Sequence, residues 1–173
     1  MTQPEFSRAF RVDTLGEAPR SVSIEADASE RAALARRFGL VAIDGLAAEA
    51  ALSRSGETVR AEGRLSAQVT QSCVASGEPL EAAIDEPFAL RFVPEDQDIG
   101  DEVELSEQDC DTLSYDGAAV DLGEAVAETL SLALDPFPRG RGAEAALKQA
   151  GVLSEGEAGP FAALKALKDK MGR

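Results

Sequence analysis

The chain has no histidine and no tryptophan, and only one tyrosine and two cysteines, in 173 residues. Without histidine there is no Ser-His-Asp or Cys-His relay, no His-ligated zinc or iron, and not the commonest general base at neutral pH. Catalysis would have to rest on carboxylates, lysine, tyrosine or a lone thiol, so a binding protein with no cofactor is expected rather than an enzyme. Cys73 and Cys110 form no disulfide framework, which agrees with a reducing compartment. No run approaches the roughly 18 apolar residues of a membrane-spanning helix. The opening MTQPEFSRAF lacks the basic and apolar regions of a secretory leader. A cytoplasmic location is expected. Large anchors are scarce, with seven Phe and much of the 44% hydrophobic content supplied by alanine, so the expected core is modest.

Positive charge is missing from one long stretch. Residues 92–138 hold no Lys or Arg and 14 Asp and Glu, whereas residues 1–91 hold ten basic and 14 acidic, and residues 139–173 hold seven and four. Nearly the whole net charge of -15 therefore comes from one segment, and all four lysines lie beyond it.

Patterning predicts an α+β fold: a domain over residues 1–139 and a helical tail over 140–173. Phe6, Phe10 and Val12, then Val22 and Ile24, mark two short N-terminal strands by their period of two, expected to join the meander of residues 46–93 in one antiparallel sheet packed by helices near 28–38 and 121–134. A helix is predicted over 28–38. Asp27 caps it, Glu30 completes a capping box and Gly39 closes it. Leu34 and Phe38 mark its buried side, and Arg31, Arg36 and Arg37 are expected to face water. Residues 46–53, 59–73 and 80–93 alternate as an antiparallel meander with one wet face, broken at Glu86 and Pro87 by a bulge or an edge. Residues 94–117 carry too much charge to bury and read as a long acidic loop, with order returning near Leu113 to Asp116. A second helix is predicted over 121–134, capped by Asp121 and ended by Pro136 and Pro138. Short helical stretches follow near 143–150 and from Pro160 to Met171.

Each candidate for chemistry has a plainer reading. Cys73 shares the apolar parity of Val59, Leu65 and Val69. No cationic or helix-N-terminal surrounding that would lower its thiol pKa is legible, so it reads as a buried structural thiol. "CVAS" carries Ser76 where a Cys-x-x-Cys motif needs its second thiol, so no metal is expected. "DQDIGDEVE" does not fit the spacing of a calcium loop. Asp85 and Glu86 read as exposed strand charges, and "RGRGAE" has neither the spacing nor the lysine of a phosphate loop. An acidic chain is repelled by RNA phosphates unless its basic residues are segregated. Here they partly are: Arg60 and Arg64 share a sheet face, while Arg139, Arg141, Lys165 and Lys168 lie in the C-terminal third.

The order of features is more specific than any one of them. "VTQSCVASGEPLEAAIDEPFALRFVPE", then an acidic stretch, then "VDLGEAVAETLSLALDPFP", resembles the YceD family of bacteria and plastids. That family shows a Cys-x-x-Cys-like turn with a proline, an acid-rich middle and a helix opened by an "IDL"-type motif. The matching positions are Cys73, Pro79, Asp121, Leu122, Pro136 and Pro138, over about residues 46–139. The chain departs at Ser76, where other members carry the second cysteine. The resemblance implies a non-enzymatic ribosome-biogenesis factor that supports large-subunit ribosomal RNA. Its expected partner is a basic ribosomal protein or assembly intermediate, met by Glu95, Asp96, Asp98, Asp101, Glu102, Glu104, Glu107, Asp109 and Asp111 collectively. The alternative is direct ribosomal-RNA binding through Arg60, Arg64, Arg139, Arg141, Lys165 and Lys168.

Overall fold

The alternating runs become three long neighbouring strands. The structure is a computed structural model, and it describes residues 4–95 and 111–152. In chain order the elements are β1 (Ala9–Arg11), β2 (Arg20–Glu25), α1 (Ala28–Phe38), β3 (Ala42–Ser55), β4 (Thr58–Ser72), β5 (Pro79–Pro94), β6 (Asp111–Tyr115), β7 (Ala119–Asp121), α2 (Leu122–Ala133) and α3 (Ala143–Gln149). The main sheet has the order β2-β3-β4-β5-β6, and β1 pairs with β7 in a separate two-stranded sheet. Contacts divide the chain into two units: residues 1–71 with 81–136, and residues 72–80 with 137–173.

In the larger unit the period of two decides which face is dry. Leu46, Ala48, Ala50 and Leu52 on β3, Val59, Leu65 and Val69 on β4, and Phe88, Leu90 and Phe92 on β5 are buried. They join Phe6, Leu34, Leu122, Val126 and Leu130 in one apolar cluster. Ile43 is buried on the opposite parity from Leu46, because the β3–β4 register shifts between Ile43 and Gly45. The extra residue turns the side-chain alternation over, which is how a bulge keeps both flanks facing the core. Gly63 is needed where β4 faces β3: a Cβ there would lie 2.1 Å from the Glu49 carbonyl oxygen and 2.9 Å from Cζ of Phe88.

Two pairings differ from the sequence reading. β1 does not join the main sheet; it pairs antiparallel with β7, Phe10 opposite Val120, and so reaches the start of α2. β6 pairs parallel to β5, Leu90 opposite Asp111 and Pro94 opposite Tyr115, inside the stretch read as an acidic loop. At Glu86 and Pro87, where a bulge or an edge is expected, β5 continues and lies at an edge, since β6 covers only Leu90–Pro94. Pro87 therefore lies where that flank of β5 has no neighbour among the described residues, a position at which a missing N–H costs least.

Both helices are fixed at their first turns. Asp27 accepts from the N–H groups of Ser29 and Glu30, and Glu30 returns a bond to the Asp27 N–H, which is the expected capping box. Asp121 accepts from the N–H groups of Gly123, Glu124 and Arg8 and from the Ser7 hydroxyl, so it ties the N-terminal segment to α2 as well as capping the helix. Gly123 makes room for that segment, since a Cβ would lie 2.6 Å from the Phe6 carbonyl oxygen. Arg37 does more than face water: it bonds Glu124 at 2.7 Å and Glu5 at 3.0 Å and so joins α1 to α2.

Candidate functional site

The sequence nominates an acidic segment, a basic set and a cysteine turn. Of the acidic residues, Glu95 and Asp111 are described, and both are exposed. Glu95 follows β5, with its N–H bonded to the Tyr115 carbonyl at 3.1 Å, and Asp111 opens β6. The two ends of the acidic segment are thus anchored on adjacent strands. Asp96, Asp98, Asp101, Glu102, Glu104, Glu107 and Asp109 lie outside the described residues, as do Lys165 and Lys168.

Beside these anchors is an open cleft of about 410 Å³ that the sequence reading did not find. Phe92, Leu113, Ala119 and Ala125 give it an apolar floor, and Asp116, Glu124 and Glu128 stand among its lining residues. Glu124 is already engaged by Arg37. An apolar floor beside carboxylates suits a side chain with an aliphatic stem and a cationic head.

On the wet face of the sheet, Arg60 and Arg64 are exposed on β4, but acids stand around them. Arg64 bonds Asp85 at 2.6 Å and lies opposite Glu49 in the β3–β4 register. Glu62 is exposed between the two arginines. The shared face predicted for Arg60 and Arg64 is present, with at least as many carboxylates on it as guanidinium groups.

The smaller unit holds the cysteine turn. Cys73 is buried, 3% exposed, as its parity requires. Its N–H bonds the Glu78 carbonyl and its carbonyl accepts from Gly77, each at 2.8 Å, which closes the turn of residues 73–78. The stretch after Pro136 packs against this turn: Val74 N–H bonds the Pro138 carbonyl at 2.9 Å, and the Gly140 N–H approaches Cys73 Sγ at 3.4 Å. The Ser76 hydroxyl, then the N–H groups of Gly140, Ser76 and Ala75, favour the thiolate and bring the Cys73 thiol down to about 7. The sequence reading found no such surroundings, because backbone donors supply them and one comes from far along the chain. The only local trace was Ser76 itself. Among the described residues, no three Cys, Asp or Glu side chains come together as a set of metal ligands. Pro79 and Pro136 are exposed, Pro138 is partly buried and Leu122 is fully buried.

The turn at Cys73, the parallel strand that ends the acidic segment and the α2 cap at Asp121 follow one another in the order the family resemblance requires. Residues 61–168 match the family described as large ribosomal RNA subunit accumulation protein YceD. The chain belongs to that family. The YceD match takes in β4 from Ala61 onward, the cysteine turn, β5, the acidic segment, β6, β7, α2 and α3. No curated protein and no solved structure matches the chain. No helix among the described residues is long and apolar enough to cross a membrane.

Proposed function

We propose that this YceD-family chain supports accumulation of large-subunit ribosomal RNA by binding, not by catalysis, and that its acid-rich unit holds a basic ribosomal protein or assembly intermediate. The carrying observation is the division of charge. The unit of residues 1–71 and 81–136 holds ten Lys and Arg against 27 Asp and Glu, while the unit of residues 72–80 and 137–173 holds seven against five. A surface of one sign speeds encounter with a partner of the other and orients it. Ribosomal proteins that bind RNA through basic surfaces are such partners before RNA neutralises them.

The acidic residues 95–111 act collectively in this reading. Losing one carboxylate changes little, because an exposed pair contributes only about 0–1 kcal/mol. The cleft lined by Phe92, Leu113, Asp116 and Glu128 supplies a place for a lysine or arginine of the partner.

The test compares the parent chain with a variant carrying Asp96→Asn, Asp98→Asn, Asp101→Asn, Glu102→Gln, Glu104→Gln and Glu107→Gln, each used to recover large-subunit ribosomal proteins at low and high salt. The parent should recover basic ribosomal proteins at low salt and lose them at high salt, and the variant should fail at both. Equal recovery by the two chains would sink the proposal.

A further inference from the structure

In the smaller unit, an exposed aromatic ring precedes two arginines on a backbone that is fixed in place. Phe137 is 70% exposed, and Arg139 and Arg141 are both exposed. Val74, 55% exposed, is bonded through its N–H to the carbonyl of Pro138, the residue after Phe137. The loop is held at three points: Val74 to Pro138, Gly140 N–H to Cys73 Sγ, and Ala143 N–H to the Gly140 carbonyl at 3.0 Å. Prolines flank Phe137 on both sides. Pro136 and Pro138 fix their own φ angles, and Pro138 restricts Phe137 to extended backbone. Little conformational freedom is left to lose when something binds there.

We propose that the loop Phe137–Arg141 binds single-stranded RNA, with Phe137 stacking on a base and Arg139 and Arg141 meeting the backbone phosphates. This goes beyond the protein-binding reading of the acid-rich unit, and a different observation carries it. Single-strand binders combine an aromatic platform with cationic groups that follow the phosphates. Charge decides between RNA and an apolar protein patch as the occupant. The unit bearing this loop has a small positive balance within a strongly acidic chain, and segregated basic charge is what an acidic protein needs to approach phosphate. Glu78, the acid of the turn at residues 73–78, is turned toward its own loop: its N–H bonds the Ser76 hydroxyl oxygen at 3.4 Å and its carboxylate lies near Gly142. Arg60 and Arg64 do not offer the same site, since Asp85, Glu49 and Glu62 stand around them and no aromatic ring of β3, β4 or β5 among the described residues shares their face.

The test uses the full chain and a short fluorescein-labelled single-stranded RNA, read by fluorescence anisotropy at several salt concentrations. The parent should bind, and more weakly as salt rises. Phe137→Ala should weaken binding by about 5- to 150-fold, the range for one lost base–aromatic stack, and Phe137→Trp should retain it. The pair Arg139→Gln and Arg141→Gln should lower the salt slope by about 1.4, which is about 0.7 for each phosphate contact on a single strand. The pair Arg60→Gln and Arg64→Gln should bind as the parent does. The six-fold acidic variant should keep RNA binding, so that failure of the protein-binding reading and failure of this one are told apart. The inference is overturned if the parent does not bind the RNA, if Phe137→Ala binds it unchanged, or if the loss falls on Arg60 and Arg64 instead. A Phe137→Ala chain that keeps RNA and loses a protein partner assigns the loop to that protein, and it too overturns the inference.

Discussion

The backbone N–H of Gly140 points at Cys73 Sγ from 3.4 Å, across 67 residues of sequence. The Ser76 hydroxyl, this N–H and the N–H groups of Ser76 and Ala75 favour the thiolate and lower the Cys73 thiol to about 7.

Titrating thiolate absorbance in the ultraviolet should therefore give a midpoint near about 7 for Cys73, against about 8.5 for a free cysteine. Ser76→Ala should move that midpoint upward. A folded-state pKa below the unfolded one contributes stability that is fully present above the unfolded value and is lost as pH falls through the folded value. The chain should accordingly gain resistance to urea as pH rises from about 7 to about 8.5, and Cys73→Ala should lose that gain. Parent and variant profiles of the same shape would contradict this. At neutral pH, Cys73→Ala leaves the Gly140 N–H without an acceptor and should cost about 1 kcal/mol, with recovery of basic ribosomal proteins the same as for the parent.

Glu30 takes part in two structures, returning a bond to the Asp27 N–H and holding both terminal nitrogens of Arg8 at 2.7 and 2.8 Å. The Arg8 guanidinium is the main reason its carboxyl lies below the usual range. Its contribution is present above the unfolded carboxyl pKa and lost as pH falls through the lower folded value. Glu30→Gln should flatten the acid limb of a stability-against-pH curve measured by circular dichroism. An acid limb as steep in the variant as in the parent would remove Glu30 from this role.

Asp121 is the sole side-chain cap of α2 and also binds Ser7 and Arg8. Asp121→Ala should cost about 1–2 kcal/mol in urea unfolding, the upper range for an N-cap, because it frees donors on two segments. Asp121→Asn should retain most of the helix cap. Equal loss in both variants would show that charge, not acceptor geometry, sets the effect.

Gly63→Ala asks more of the fold than an ordinary glycine replacement in a strand, since the new methyl meets backbone at 2.1 Å with the Phe88 ring close behind. It should destabilise by about 1–3 kcal/mol or prevent soluble expression, as overpacked sites do. Shrinking the ring with Phe88→Leu should not rescue it, because the Glu49 carbonyl cannot withdraw. Rescue by that second change would make the ring the obstacle.

Periodicity carried most of the fold. Alternation over residues 46–53, 59–73 and 80–93 marked β3, β4 and β5, and Asp27 with Glu30 and Asp121 marked where both helices start. What was not legible depended on short or distant partners. β1 and β7 are three residues each, too short to show a period or to choose a mate. β6 shows only Leu113 and Tyr115 against a background of acids, and nothing local says that it runs parallel to β5. At the candidate sites, residue types were readable and surroundings were not. The arginines on β4 could be placed on one face, but Asp85 reaches Arg64 from the next strand. Three of the four donors to Cys73 are backbone atoms, and backbone atoms leave no mark in residue identity. Phe137 read only as part of a helix stop, because exposure is a property of the packed chain.

The parallel pairing of β5 with β6 limits how the acidic segment can vary in length. A parallel return needs a dozen or more residues, and residues 95–110 offer 16. Deleting more than about four of them should therefore draw β6 away from Leu90–Pro94. Doubling the segment should cost only about 0.6 kcal/mol. Insertion is cheap where deletion is not, so a reporter peptide or a crosslinking tag can be built into this segment as long as the residues already there are kept.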